Sequence, residues 1–283
     1  MNKSSKTTGQ FDAKPVGLRV AYYVIAFLLI VLAIGPALWL LNIALQPPRG
    51  VALSQVTPPS QWTLHNFKAA VQTGLLQPFF NSILVTVAQT VLNVLLAATC
   101  AYPLARMKFF GKDVLFILLL ATLMVPEQVI TIPLYVTVID LGLADTLTGV
   151  ILPFAVSAFG IYLCRQAFLS VPMELEEAAR IDGASPLQTW WHVMLPLIRP
   201  TLATLAVFSM IGAWSNLLWP LIVLQSESKQ TLPVAINQLL SVHADNVRYA
   251  YAAAVLALLP MILGYVFAQR WLERGMLAGA VKG

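Results

Sequence analysis

From Val20 to Leu41 the chain runs 22 residues without a charge: VAYYVIAFLLIVLAIGPALWLL. At about 1.5 Å per residue, such a helix crosses the roughly 30 Å hydrocarbon core of a bilayer. The run is also longer than the apolar core of a cleaved signal peptide, about 7–15 residues, so we read it as a retained transmembrane helix. The pattern recurs, and the expected spans are residues 19–43, 80–105, 113–136, 147–168, 200–224 and 249–270. Lipid offers backbone groups no hydrogen-bond partner, so spans of this length should be helices. The fold class expected is an all-α integral membrane protein with six transmembrane helices. Composition agrees: 10% of the chain is charged, against about 25% in soluble domains. The third span is the most interrupted, by Pro126, Glu127 and Pro133. Pro36, Pro103, Pro153, Pro220 and Pro260 mark further kinks or ends.

Lysine and arginine set the orientation. With the N-terminus inside, the inner segments hold Lys3, Lys6, Lys14, Arg19, Arg106, Lys108, Lys112, Arg165, Arg180, Arg199, Arg270, Arg274 and Lys282. These are 13 of the 17 basic residues. Arg49, Lys68, Lys229 and Arg248 fall outside, and the connection between the third and fourth spans has Asp140 and Asp145 but no cation. Residues 1–18 are then a cytoplasmic N-terminal segment, 19–270 the six-span domain and 271–283 a cytoplasmic tail. Outside lie a long connection, 44–79, whose SQWTLHNFKAAVQTG suits a short surface helix, and a second at 225–248.

Other chemistries find little support. The basic residues are scattered singly and form no nucleic-acid stripe. Cys100 and Cys164 sit in apolar runs and imply no disulfide framework. His65, His192 and His243 are far apart, with His192 expected across the membrane from the others, so they make no common metal site. No GxxxxGK[ST] phosphate loop occurs, so any ATP hydrolysis must come from a partner. A membrane enzyme using Glu127 as acid or base needs a second titratable group at similar depth, and none is seen.

One cytoplasmic segment, ELEEAARIDGASPLQTWWHVMLP at 174–196, is polar. It lies within the connection 170–199. Pro172 suits the start of a helix. Glu174, Glu176 and Glu177 complement the dipole of its first turns. Leu175, Ala178, Ala179 and Asp182 share a face, with two small alanines that let a partner backbone approach. Gly183 suits a left-handed helix end. Ser185 and Pro186 read as cap and first position of a second helix, ending near Leu195 and Pro196. This is a helix–glycine–helix elbow under the membrane. Its acidity disfavours an anionic leaflet, which tilts the reading from a lipid-resting helix toward a protein partner.

Those residues carry a resemblance. Glu177-Ala178-Ala179, three residues, Gly183, nine residues, Val193, one residue, then Leu195-Pro196 resembles the EAA loop of binding-protein-dependent ABC importer permeases. Val193 stands where the family pattern has isoleucine. EAARIDGAS resembles the carbohydrate-uptake branch. The C-terminal RGMLAGAVKG is similar to the tail of the small (MalG-like) permease of maltose transporters. The resemblance implies a type I ABC importer permease architecture in a bacterial or archaeal inner membrane. Its partners would be a second, MalF-like permease, a cytoplasmic ATPase dimer that binds the ATP and magnesium, and an external sugar-binding protein. This chain would hold no cofactor. The elbow would be the coupling helix, with Glu177, Ala178, Ala179, Asp182, Gly183, Leu195 and Pro196 as its ATPase-coupling residues. The tail would reach the ATPase interface and the loop at 225–247 the binding protein.

A solute path needs polar groups at membrane depth. Two clusters supply them: VPEQV, with Glu127 and Gln128, and GAWSNLLWP, with Trp214, Asn216 and Trp219. Amides and carboxylates suit sugar hydroxyls, and aromatics suit sugar ring faces. Their structural alternatives are a contact to the partner permease for Glu127, belt positions for the tryptophans and an interhelical hydrogen bond for Asn216. No cation sits mid-span, which favours a neutral sugar over glycerol 3-phosphate, a substrate type of the same branch.

Overall fold

The computed structural model describes residues 16–48, 53–242 and 247–280. Readings that rest on residues 1–15, Arg49, His243 and Lys282 fall outside them. Every regular element among the described residues is helical.

Helix α1 (Val16–Leu45) holds the first predicted span. Its apolar side chains touch little of the chain; Leu32 is 74% exposed. The short helix α2 (His65–Gln72) is the one expected, with His65, Lys68, Val71 and Gln72 exposed and its other face docked. Asn66 and Ala70 are fully buried, and the Asn66 amide donates to the carbonyls of Ala44 and Gln46 at 2.8 and 2.7 Å. Those carbonyls close the end of α1, where no further turn supplies a donor.

The long α3 (Leu76–Arg106) is the second span and the hub of the domain. Its Ala97, Ala98 and Ala101 are nearly or fully buried, and small residues let membrane helices pack closely. The third predicted span is not one helix. α4 (Lys112–Thr122) and α5 (Glu127–Asp140) meet at 102° across residues 123–126. Pro126 is the cause available in the sequence: its backbone is extended (φ −60°, ψ 134°) and it has no N–H to continue the α4 ladder. α6 (Leu147–Ile151), a tight turn over Leu152–Phe154 containing Pro153, and α7 (Ala158–Ser170) form the fourth crossing, bent by 42°.

The polar segment at 174–196 folds as α8 (Met173–Ile181), α9 (Pro186–Thr189), a wide π turn over Trp190–Met194 and α10 (Leu195–Leu197). The fifth crossing is α11 (Arg199–Ser215) followed by the short α12 (Leu218–Val223). The break precedes Pro220: Asn216 is extended (ψ 115°) and Pro220 sits inside α12. α13 (Leu232–Val242) lies in the connection before α14 (Arg248–Ala280). α14 passes the expected end of the sixth span at 270 and carries the predicted tail onward as helix.

Three helices cross a bilayer alone by length and hydropathy: Val20–Leu45, Leu76–Arg106 and Arg248–Phe267. Three bent pairs meet the same measure together, which makes up to six crossings. In the last pair the elbow's second arm, Pro186–Leu197, meets α11 at 77°. The core divides by end. One end packs Ala97–Ala105 of α3 with Ile161–Val171, Met194, Ile198 and Leu205. The other packs Leu75 or Val85 with residues from 138–150, 214–224 and 232–253. Arg106, Arg165, Arg180 and Arg199 thus gather around the first end, as an alternating chain path requires.

Candidate functional site: the elbow and a polar cavity

The elbow is built by local rules. Pro172 (φ −56°, ψ 139°) stands just before α8, with Glu174 and Glu176 in its first turn. Gly183 has φ +84°. Its N–H donates to the Arg180 carbonyl and the Ala184 N–H to the Ala179 carbonyl, both at 3.0 Å. This pair of bonds is the Schellman closure, which a glycine completes without steric cost. Ser185 caps the second arm. Its hydroxyl accepts from the Gln188 N–H at 3.3 Å, and Gln188 accepts from the Ser185 N–H at 2.8 Å. That reciprocal capping box turns on Gln188, which the sequence reading passed over. The arm ends at Leu197, next to the expected Leu195 and Pro196, after a wide turn in which the Leu195 N–H donates to the Trp190 carbonyl.

The expected coupling residues separate into two groups. Glu177, Ala178, Asp182 and Gly183 are exposed, whereas Ala179, Leu195 and Pro196 are half-buried. Leu195 packs back on the helical core. The outward surface also carries Ile181, 86% exposed, and Leu187, 71% exposed. These two apolar side chains flank the glycine. Only their isolation among polar neighbours marked them in the sequence.

Glu176 points the other way. It is 2% exposed and pairs with Arg180 at 2.9 Å and Arg106 at 3.6 Å. The Tyr102 hydroxyl donates to it at 2.9 Å. Arg106 also donates to the Phe168 carbonyl at 2.6 Å and to the Val171 carbonyl. Arg165, whose Nε donates to the Leu104 carbonyl at 3.0 Å, lies 3.9 Å over the Phe116 ring.

A second candidate site lies among α3, α5, α7 and α11. A cavity of about 190 Å³ is lined by Gln89, Asn93, Glu127, Ser157, Ser209 and Asn216, among others. Glu127 and Asn216, read from separate clusters, thus share one cavity. Gln128 is exposed outside its lining. The tryptophans do not line it either. Trp214 is buried against Phe79 and donates to the Ala257 carbonyl at 3.1 Å. Trp219 is 2% exposed and donates to the Gly149 carbonyl at 3.2 Å. Each indole has a donor that must be satisfied when its ring is buried, and each does so by stitching two crossings together.

Most of the cavity's polarity is committed to the fold. The Asn93 amide donates to the Ser209 hydroxyl at 2.8 Å, and its oxygen accepts from the Ser157 N–H and hydroxyl at 3.0 and 3.1 Å. Gln89 donates to the Val150 carbonyl at 2.9 Å. A Cβ added at Gly160 would stand 2.9 Å from the Ser157 hydroxyl and 3.1 Å from Asn93, so α7 approaches α3 as closely as glycine allows. Asn216 accepts from the Trp219 N–H at 3.3 Å, leaving its amide donors toward the cavity. The Glu127 carboxylate faces it at the start of α5, after the 102° break. No Lys, Arg or His is in the lining.

Comparison with known proteins identifies the chain's kin. It is 34% identical over 271 residues to the arabinooligosaccharides transport system permease protein AraQ of Halalkalibacterium halodurans, covering 94% of this chain and 96% of that protein. It is 33% identical to the sn-glycerol-3-phosphate transport system permease protein UgpE of Agrobacterium fabrum, over 73% of this chain and 74% of that one. A chain from the crystal structure of a bacterial ABC transporter involved in import of the acidic polysaccharide alginate superposes with a TM-score of 0.80 at 24% identity, covering 93% of this chain and 99% of that chain. The family pattern named binding-protein-dependent transport system inner membrane component matches residues 90–278, which include the whole elbow and all the cavity lining except Gln89. The chain belongs to that family and is a membrane transport subunit, not an enzyme.

Proposed function

We propose that this chain forms half of the translocation pathway of an ATP-driven importer for a sugar or oligosaccharide. Its partners in this reading are a second, MalF-like permease, a cytoplasmic ATPase dimer carrying ATP and magnesium, and an external sugar-binding protein. Both termini are cytoplasmic, in line with the clustering of basic residues at one end of the bundle. The observation that carries the reading is the elbow's outward face. Glu177 is left exposed while Glu176, beside it, is buried, so one acidic side chain is held ready for a basic partner surface. Ile181 and Leu187 supply the apolar contact of a helix laid in a groove.

The cavity bears on the solute. A carboxylate and amide donors with no cation suit hydroxyls, and repel a phosphate unless the partner subunit supplies positive charge. AraQ is named for arabinooligosaccharides and UgpE for glycerol 3-phosphate; the cavity favours the first class. The test is uptake by proteoliposomes containing this chain with its partner permease, ATPase and binding protein. A labelled neutral oligosaccharide is accumulated with ATP, and glycerol 3-phosphate is not. Accumulation of glycerol 3-phosphate alone would replace this reading by its sister. Glu177→Lys is expected to abolish stimulation of ATP hydrolysis by loaded binding protein while leaving the chain folded; undiminished stimulation would remove Glu177 from the coupling contact.

A further inference from the structure

We propose that Glu176 and Arg106 form a clamp that makes the elbow and the cytoplasmic roots of the second and fourth spans one rigid lever. The proposal rests on the coupling reading of the elbow and adds how its motion enters the membrane. The elbow joins α7 through Val171 (φ −75°, ψ 133°) and Pro172 (φ −56°, ψ 139°). Two extended residues, held to α7 by a single bond from the Val171 N–H to the Phe168 carbonyl at 3.1 Å, make a natural hinge. A push on α8 would be absorbed there if chain continuity were the only connection.

The clamp bridges that hinge. Arg106 is the last residue of α3 and is 7% exposed. Its guanidinium donates to the Phe168 carbonyl, which also accepts from the Val171 N–H, and to the Val171 carbonyl just past α7, where a cation complements the helix dipole. The same guanidinium faces the Glu176 carboxylate of α8 at 3.6 Å. Tyr102, one turn earlier on α3, donates to that carboxylate and sets its ring edge-on to Phe168 at 5.6 Å. Three elements therefore meet at one point: hydrogen bonds tie α3 to α8 through Tyr102 and α3 to the end of α7 through Arg106, and the Arg106–Glu176 pair adds attraction at 3.6 Å without a hydrogen bond. A buried ion pair contributes little net stability compared with apolar packing; what it supplies here is a fixed geometry between α3 and α8, whose bonded Tyr102 and Glu176 are 74 residues apart. Glu176 is a positioning residue in this scheme, and Glu177 the contact residue.

The experiment uses the assembled transporter with Cys100→Ala and Cys164→Ala. Spin labels go at Glu174→Cys on α8 and Phe110→Cys beyond α3; both native side chains are exposed. With Glu176 intact, the distance distribution is narrow and keeps its width when nucleotide is added. With Glu176→Gln it broadens, and stimulation of ATP hydrolysis by loaded binding protein falls about fivefold or more, the lower range of typical coupling between sites. Tyr102→Phe, which keeps the ring and loses one hydrogen bond, broadens it less and guards against a Glu176→Gln chain that does not assemble. Unchanged widths in both variants overturn the clamp. The distance readout needs no substrate, so a wrong assignment of the solute leaves it standing, whereas failure of Glu177→Lys with a broadened Glu176→Gln distribution would sink the coupling reading and spare the clamp.

Discussion

The two ends of the bundle are both stitched by an ion pair between segments distant in sequence, yet the two pairs differ in kind. At the elbow root, Glu176 and Arg106 are 2% and 7% exposed. At the opposite rim, Asp145 and Lys229 meet at 3.0 Å with 26% and 44% exposure. Asp145 also accepts from the Gln225 and Ser226 N–H groups and the Ser226 hydroxyl, at 2.9, 3.0 and 2.6 Å. It does so from a left-handed backbone (φ 51°), a conformation that Asp tolerates better than most side chains. The rim pair is one bond in a wet loop that ties the connection after α5 to the one after α12. The root pair has little water to fall back on. Exposed pairs yield to salt and water, whereas a buried charge deprived of its partner is stranded. The root is therefore the rigid end and the rim the adaptable one.

Arg106→Ala breaks the comparison hardest. It leaves the buried carboxylate with the half-exposed Arg180 and with Tyr102, and the Val171 carbonyl without its side-chain donor. The expected loss is about 3–5 kcal/mol, read as thermal unfolding in detergent; a loss no larger than that of a rim variant would refute the asymmetry. Gly183→Val comes next. A Cβ there meets nothing within 4 Å, so the cost is backbone strain alone, about 1–2 kcal/mol. It should also weaken coupling by tilting the two arms. Trp219→Phe at the rim keeps most of the apolar contact and loses the bond to Gly149, about 1 kcal/mol. Equal unfolding of Trp219→Phe and Arg106→Ala would mean that both ends are equally rigid.

Asp145→Asn is the smallest and the most dependent on conditions. The Ser226 hydroxyl, then the Ser226 N–H and Lys229, hold the Asp145 carboxyl well below the usual carboxylate range. A carboxyl depressed by folding contributes fully above its ordinary value of 3.8, and that contribution is lost as pH falls below it. Amide protection of residues 225–230, corrected for intrinsic exchange, should match at pH 7 and pH 5 and decline below about pH 4. In Asp145→Asn it should be lower at pH 7 and insensitive to this acid step. A protection loss already complete at pH 5 would exclude Asp145 as the group responsible.

Much of the elbow was legible because its rules are local. Pro172, Gly183, Ser185 and Pro186 act within a turn of themselves, and each stands where its backbone preference requires. Glu176 and Glu177 were not separable in this way. They are neighbours of the same type, and only the position of Arg106 on another helix decides which is buried. Trp214 and Trp219 were read as part of a sugar path because aromatics suit sugar rings. Their indole donors instead meet carbonyls of Ala257 and Gly149, partners that no spacing reveals. Glu127 and Asn216 were read from separate clusters, and their sharing of one cavity depends on the fold of α5 against α11.

By itself the sequence determined that the chain is helical, that it crosses a membrane repeatedly and which segments lie at its charged end. Those follow from hydrophobic length, backbone hydrogen bonding and the siting of lysine and arginine, which are properties of each segment alone. Only the tertiary structure decided where the third crossing turns, which glutamate faces inward and which polar groups are left for a solute. Those depend on what two distant segments present to each other, since a polar side chain in an apolar setting is committed by whichever partner the packing brings within reach.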